Sequence, residues 1–254
     1  MSQLLIAPAV FFLGAALGSF LNVIVIRFPN ALPLGRSHCP ACRKKLNWWE
    51  LIPVLSFILL AGRCNRCRTP LSIQYPLVEL FFGLIALILF LPFPGNPTTI
   101  FNTIINYLII YLLGILFLID LRTFLLPDIY IVIITLISII TLITKPASLL
   151  TGITGAIIGS AFFAFLWFLT KGRGIGIGDV KLMIPLGLLL GTSATIILLL
   201  VSFIAGGAYG LWLLLTKRAT LKTAVPFGPF LTATAIAFII FPKLPYAIIE
   251  FLIN

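Results

Sequence analysis

Apolar residues in this chain come in long blocks, not in the stripes or alternations of a soluble fold. Eight blocks stand out, at roughly 4–26, 76–92, 100–119, 128–144, 149–170, 180–191, 194–216 and 226–252. Most reach or approach the ~18 residues that read as a membrane span. In lipid a backbone must satisfy its own hydrogen bonds, so each block is expected to be helical. The pattern therefore predicts an all-α, polytopic membrane protein of about eight transmembrane helices. The sixth block, about 12 residues long, falls short of ~30 Å of hydrocarbon at 1.5 Å per residue and reads as a broken or re-entrant helix. The last contains Pro242 and Pro245 and is expected to kink. Met1 to Ile26 carries no Lys or Arg, unlike the basic start of a secretory signal peptide, and reads as a retained first span.

The polar intervals say which way the blocks run. The chain has 17 Lys and Arg and only six Asp and Glu, giving a net charge of +11. All the basic residues but Lys145 and Lys243 fall in four loops, at 27–75, 120–127, 171–181 and 217–225. That asymmetry is the positive-inside signal. It places those four loops in the cytoplasm and both termini outside, and it makes the short sixth block a crossing. It also accounts for the charge without nucleic acid. The residues Pro92-Phe93-Pro94-Gly95-Asn96-Pro97 read as a tight outer turn. The chain is expected to divide into a first helix (1–26), a cytoplasmic four-cysteine loop (27–75) and a multi-helix membrane core (76–254). No internal repeat is visible. With 61% hydrophobic and 9% charged residues, against about 25% charged in soluble domains, the bilayer is the chain's solvent.

All four cysteines lie in the large loop, as Cys39-Pro40-Ala41-Cys42 and Cys64-Asn65-Arg66-Cys67, two C-x2-C pairs with 21 residues between them. This is the spacing of a tetrahedral zinc site, with two thiolates from each tight turn. Nearby Arg and Lys favour the thiolate form. Two disulfides would use the same residues, but a loop in the reducing cytoplasm argues against them. Four cysteine ligands leave no open position, so the role is structural. His38, the single histidine, adjoins the first pair and is read as a neighbour, not a ligand.

Acids in or beside a membrane span are costly and are functional candidates by default. Asp120 ends the third block and Asp179 begins the sixth, and the basic-residue topology puts both at the cytoplasmic boundary. Two facing carboxylates cannot both ionise cheaply. One can then act as a base on water while the other protonates a substrate carbonyl. Gly172, Gly174, Gly176 and Gly178 before Asp179 let extended backbone approach closely at a helix start. The bland alternative pairs Asp120 with Arg122 or Lys181 and makes Asp179 a helix cap. Spacing does not choose between these readings. Asp128, after Pro127, suits a capping role at the positive end of a helix. Glu79, one turn into the second block, is less easily explained by capping, and Glu250 reads as solvated. There is no G-x-S-x-G, no phosphate loop and only one histidine, so the nucleophilic and nucleotide templates fail.

In order along the chain stand Gly18-Ser19-Phe20-Leu21-Asn22-Val23 with Arg27 and Pro29, the two C-x2-C pairs enclosing Glu50-Leu51-Ile52-Pro53-Val54-Leu55-Ser56, Tyr75-Pro76-Leu77-Val78-Glu79-Leu80, the stretch from Asp120 to Leu126-Pro127-Asp128, and Gly176-Ile177-Gly178-Asp179. This ordered set resembles the bacterial type IV prepilin peptidases, bifunctional leader peptidases and N-methyltransferases. The last motif is the G-x-G-D shared with presenilin-type and preflagellin peptidases. The resemblance implies that Asp120 and Asp179 are the catalytic pair, with Gly176 and Gly178 in the active-site loop. It implies cleavage of the short basic leader of a prepilin or pseudopilin, after a glycine, at the cytoplasmic face of the inner membrane. Methylation of the new amino terminus from S-adenosylmethionine would follow. Gly62 matches a position linked to methylation and is the candidate for methyl-donor binding. The presence of the cysteine loop favours the bifunctional form over a peptidase alone. An ion transporter using the same acids would expect them nearer mid-membrane. The sequence names neither the particular substrate nor an oligomeric state.

Overall fold

The computed structural model describes residues 2–29, 35–92, 96–143, 148–172, 174–218, 220 and 223–253. The outer turn at 93–95 and the side chains of Lys145, Arg173 and Lys222 lie outside them. Among the described residues the chain is all-helical, with two isolated β-bridges and no strand. The major helices follow the apolar blocks: α1 (Ser2–Arg27), α3 (Gln74–Phe90), α4 (Pro97–Thr123), α5 (Asp128–Ile143), α6 (Leu149–Leu169), α7 (Ile177–Leu215), α8 (Gly228–Ile240) and α9 (Leu244–Ile253). Inside the cysteine loop sit a 3-10 turn at Trp48–Leu51 and a short helix, α2 (Leu55–Leu59), neither expected from hydrophobic blocks alone.

By length and composition α1, α4, α6 and α7 can each cross a membrane. The bent pair α8 and α9, turned by 102° at the Phe241–Lys243 break, adds a fifth candidate. That bend falls at Pro242, where a kink was expected. The helices α3 and α5, of 17 and 16 residues, are apolar but shorter.

The sixth and seventh blocks form one 39-residue helix, α7, interrupted at Gly191, whose φ of 75° and ψ of 174° are not helical. Only glycine adopts this conformation without strain. The Thr195 hydroxyl donates to the Gly191 carbonyl (2.7 Å), and the Thr192 hydroxyl donates to the Thr151 carbonyl on α6 (3.0 Å). Those hydroxyls serve polar groups that lipid cannot.

The chain forms two compact units that divide inside α4, Met1–Tyr111 and Leu112–Asn254. In the first, α1 packs along α3, and the Tyr107 hydroxyl donates to the Phe82 carbonyl (3.3 Å). In the second, α7 is central and packs on α5, α6 and α8. A Cβ on Gly187 would collide with the Ala156 backbone, so small residues set the α6–α7 distance. Phe163, Phe203 and Phe227 form an aromatic cluster that joins α6, α7 and the start of α8, with Phe203 and Phe227 centroids 4.8 Å apart.

Candidate functional site

Asp120 lies in the last turn of α4. The helix stops because Phe124, at φ 57°, takes a left-handed C-terminal conformation and donates its N–H to the Asp120 carbonyl (3.0 Å). Leu125, Leu126 and Pro127 then lead into α5. Asp179 stands at the third position of α7, after Gly176 in extended conformation at the N-cap. Its carboxylate reaches back to the Gly176 N–H, half of a capping box.

The two aspartates meet around one side chain. A Cβ on Gly178 would lie 3.0 Å from Leu126 Cβ, and a Cβ on Gly228 would lie 3.3 Å from Leu126 Cδ1. Gly178 precedes Asp179. Gly228 donates its N–H to the Asp120 carboxylate and has no room for a side chain beside Asp120 Oδ2. Leu126 thus wedges between two glycines, each carrying an aspartate at its other side. The carboxylates are close enough to interact electrostatically. Both are nearly enclosed, at 5% and 6% exposure. Among the described residues nothing hydrogen-bonds Asp179 Oδ1.

The same region settles what Lys181 does. Its ammonium binds both oxygens of Asp128 (2.9 and 2.8 Å). The alternative that paired Asp120 with Lys181 is therefore not what forms. Asp128 sits in the first turn of α5 and ties that helix to the start of α7. Gly228 was missed in the sequence. Its signal was the Phe227-Gly228-Pro229 start of the last block, where a glycine and a proline adjoin a helix N-terminus.

In the first unit the four cysteines converge, with all four Sγ atoms within 4.8 Å of one another. Cys39 to Cys67 is 3.8 Å and Cys42 to Cys64 is 4.0 Å. A tetrahedron with Zn–S of about 2.3 Å has S–S edges of about 3.8 Å, so the cluster fits zinc, while a disulfide needs about 2.05 Å. All four thiols are free. Thr69 hydrogen-bonds Cys67 and pulls that thiol down to about 6, while burial pushes Cys39 up to about 11. His38 is exposed and stays outside the cluster.

The two knuckles are copies of each other. Arg43 donates to the Cys39 carbonyl (2.9 Å) as Arg68 does to that of Cys64 (3.0 Å), and both arginines have positive φ, 56° and 58°. The bridges His38–Lys45 and Arg63–Pro70 close each loop in the same way. The chain thus does contain a small internal repeat, one of backbone shape, which few shared side chains reveal.

Beneath the knuckles lies a cavity of about 380 Å³ whose lining includes Ser19, Phe57, Tyr75 and Glu79. The first-span motif builds its floor. Asn22, buried, accepts from the Gln74 side chain (3.2 Å) and donates to the Tyr75 carbonyl (3.3 Å), fixing α1 to the start of α3. Glu79 Oε2 accepts from the Val54 N–H (2.8 Å). Val54 has φ 63° and ψ −50°, and Leu55 N–H bonds the Pro53 carbonyl across it (2.6 Å). This is a γ-turn of the rarer, strained kind, at a β-branched residue, and such strain costs on the order of 1–3 kcal/mol. Glu50 completes a capping box at Asn47 and pairs with Lys44 (3.2 Å).

Comparison with known proteins adds family to geometry. The model of the bacterial peptidase A24 N-terminal domain matches residues 12–93, and that of the type IV leader peptidase family matches residues 107–211. A prepilin leader peptidase/N-methyltransferase of Burkholderia pseudomallei (strain 1026b) is 37% identical over 90% of this chain and 83% of its own length. The chain belongs to the type IV leader peptidase family. Relatives of the same name from Aeromonas hydrophila (32% identical, 87% of this chain and 86% of theirs) and Bacillus subtilis (33%, 89% and 90%) agree. No solved structure matches the chain. As a type IV leader peptidase family member it is an aspartic peptidase with N-methyltransferase activity, built as a multi-pass membrane protein. The two family models cover one compact unit each for the most part, the cysteine loop falling in the first and both aspartates in the second.

Proposed function

We propose that this enzyme removes the leader of a prepilin or pseudopilin after a glycine, using Asp120 and Asp179, and then methylates the exposed amino terminus. The observation that carries the reading is the enclosed aspartate pair around Leu126, with one Asp179 oxygen free of any described partner. One carboxylate takes a proton from water as it attacks the scissile carbonyl. The other, protonated, donates to the carbonyl oxygen. Collapse of the tetrahedral adduct breaks the C–N bond, and the leaving amine takes up a proton. The Gly228 N–H orients Asp120 for this work, and Gly176 orients Asp179. Gly176 and Gly178 leave bare backbone beside the pair, where an extended substrate segment can lie.

The asymmetry of basic loops supports a pair at the cytoplasmic face of the inner membrane, with eight crossings in all and both termini outside. Cys39, Cys42, Cys64 and Cys67 would hold zinc as a structural ion, and bound S-adenosylmethionine would supply an electrophilic methyl group for the second reaction. Incubating the membrane-inserted chain with a pilin precursor and labelled S-adenosylmethionine tests both steps. The expected result is a shortened product that carries label. Full cleavage by an Asp120→Asn or Asp179→Asn chain would overturn the assignment.

A further inference from the structure

The methyltransferase reading leaves the methyl donor without a place, and the cavity below the cysteine knuckles supplies one. We infer that this cavity binds the sulfonium methyl donor, with Glu79 facing its charged sulfur; the inference rests on the methyltransferase reading above. At about 380 Å³ the space lies within the roughly 300–1,000 Å³ of small-ligand sites, and apolar walls with a few charged groups are what such sites show.

Two buried carboxylates line it, and they differ. Glu50 is neutralised by Lys44 and the Asn47 N–H. Glu79, 7% exposed, has only neutral partners, the Val54 N–H and the Ser19 hydroxyl, and among the described residues no Lys or Arg pairs with it. A buried carboxylate at a cavity wall without a cation is matched by a ligand that brings one. A sulfonium is a permanent cation with no proton to give, so it needs a charge opposite it and not a hydrogen-bond acceptor. The amino-acid arm of such a ligand also carries a carboxylate, and Arg63 lines the space. Phe57 and Tyr75 give flat faces for a purine.

The same geometry gives Gly62 a part. It does not line the cavity. At φ 66° it lies behind Phe57, and a Cβ there would come within 2.9 Å of the Phe57 ring tip. A side chain at 62 would push that ring, so Gly62 is a positioning residue and not a donor-binding one.

After methyl transfer the donor becomes a thioether, which carries no charge at sulfur. Glu79 therefore distinguishes donor from product. The test is equilibrium binding of S-adenosylmethionine and S-adenosylhomocysteine to the full, zinc-loaded chain in detergent. Glu79→Gln is expected to weaken the sulfonium donor tenfold or more and the thioether less than threefold. Val23→Phe, which adds bulk to the floor from α1, is expected to weaken both more than tenfold, with zinc content kept as the check on folding. Equal loss of both ligands in Glu79→Gln would overturn the role of Glu79. Wild-type affinity for both ligands in Val23→Phe would overturn the cavity. A wild-type chain that cleaves a precursor but binds neither ligand would overturn the methyltransferase reading itself.

Discussion

The two units of this chain use buried acids in opposite ways. In the first, Glu50 accepts the Asn47 N–H and pairs with Lys44, and so holds a turn of the cysteine loop in place. In the second, Asp179 keeps one oxygen without a described partner while its other contacts only orient it. Glu50 has its oxygens filled by a backbone N–H and an ammonium, whereas Asp179 keeps one oxygen open, as the reagent role proposed for it requires. The units differ in support as well. The cysteine loop has short helices, strained turns and four thiols drawn together. The aspartate pair sits on the ends of long helices locked by glycine contacts and an aromatic cluster. One should depend on metal and the other should not.

The sharpest break in that contrast comes from the acids themselves. Asp179→Asn or Asp120→Asn is expected to cut leader cleavage by about a thousandfold or more, since neither role has a substitute, while S-adenosylmethionine binding persists. Precursor processing on gels and ligand binding on the same preparation would show it; parallel loss of both would merge the two sites. Next is metal. Exchanging Cys39 and Cys64 for serine together should abolish zinc by elemental analysis. It should also abolish methylation, because structural zinc sites contribute on the order of 10 kcal/mol to their folds. Cleavage should survive within a fewfold, and its collapse would show that the cysteine loop supports the aspartates too. Gly228→Ala puts a methyl group against Asp120 Oδ2 and should lower the cleavage rate by about a hundredfold, the scale of a misplaced catalytic group, with zinc content unchanged. Smallest is Asp128→Asn. Its ion pair with Lys181 is exposed on both sides and is worth about 0–1 kcal/mol, so stability should fall by no more than that and the rate by only a fewfold.

Much of this was legible in the residues. The apolar blocks became helices, and the short sixth block ended at Gly191, where the backbone does break. The four cysteines converge as their spacing required. Other features were hidden because they arise only when distant segments touch. Nothing near Gly228 in sequence announces Asp120, 108 positions earlier. Val54 reads as an ordinary apolar residue until Glu79 captures its N–H. The repeat of the knuckles went unseen because Arg43 and Arg68 occupy positions where glycine would have advertised a left-handed turn. Span count was hardest to read. Length decides a crossing only when helices run straight, and α7 and the α8–α9 pair do not.

The interruption at Gly191 bears on biogenesis. At 1.5 Å per residue, α7 is about 58 Å of helix, nearly twice the hydrocarbon thickness of a bilayer. Between Lys181 and Lys217 it offers an insertion machinery no charged residue at which to stop. On the eight-crossing reading the end of one crossing and the start of the next are marked by backbone alone, and a side chain at 191 is expected to erase that mark during synthesis, before any site has formed.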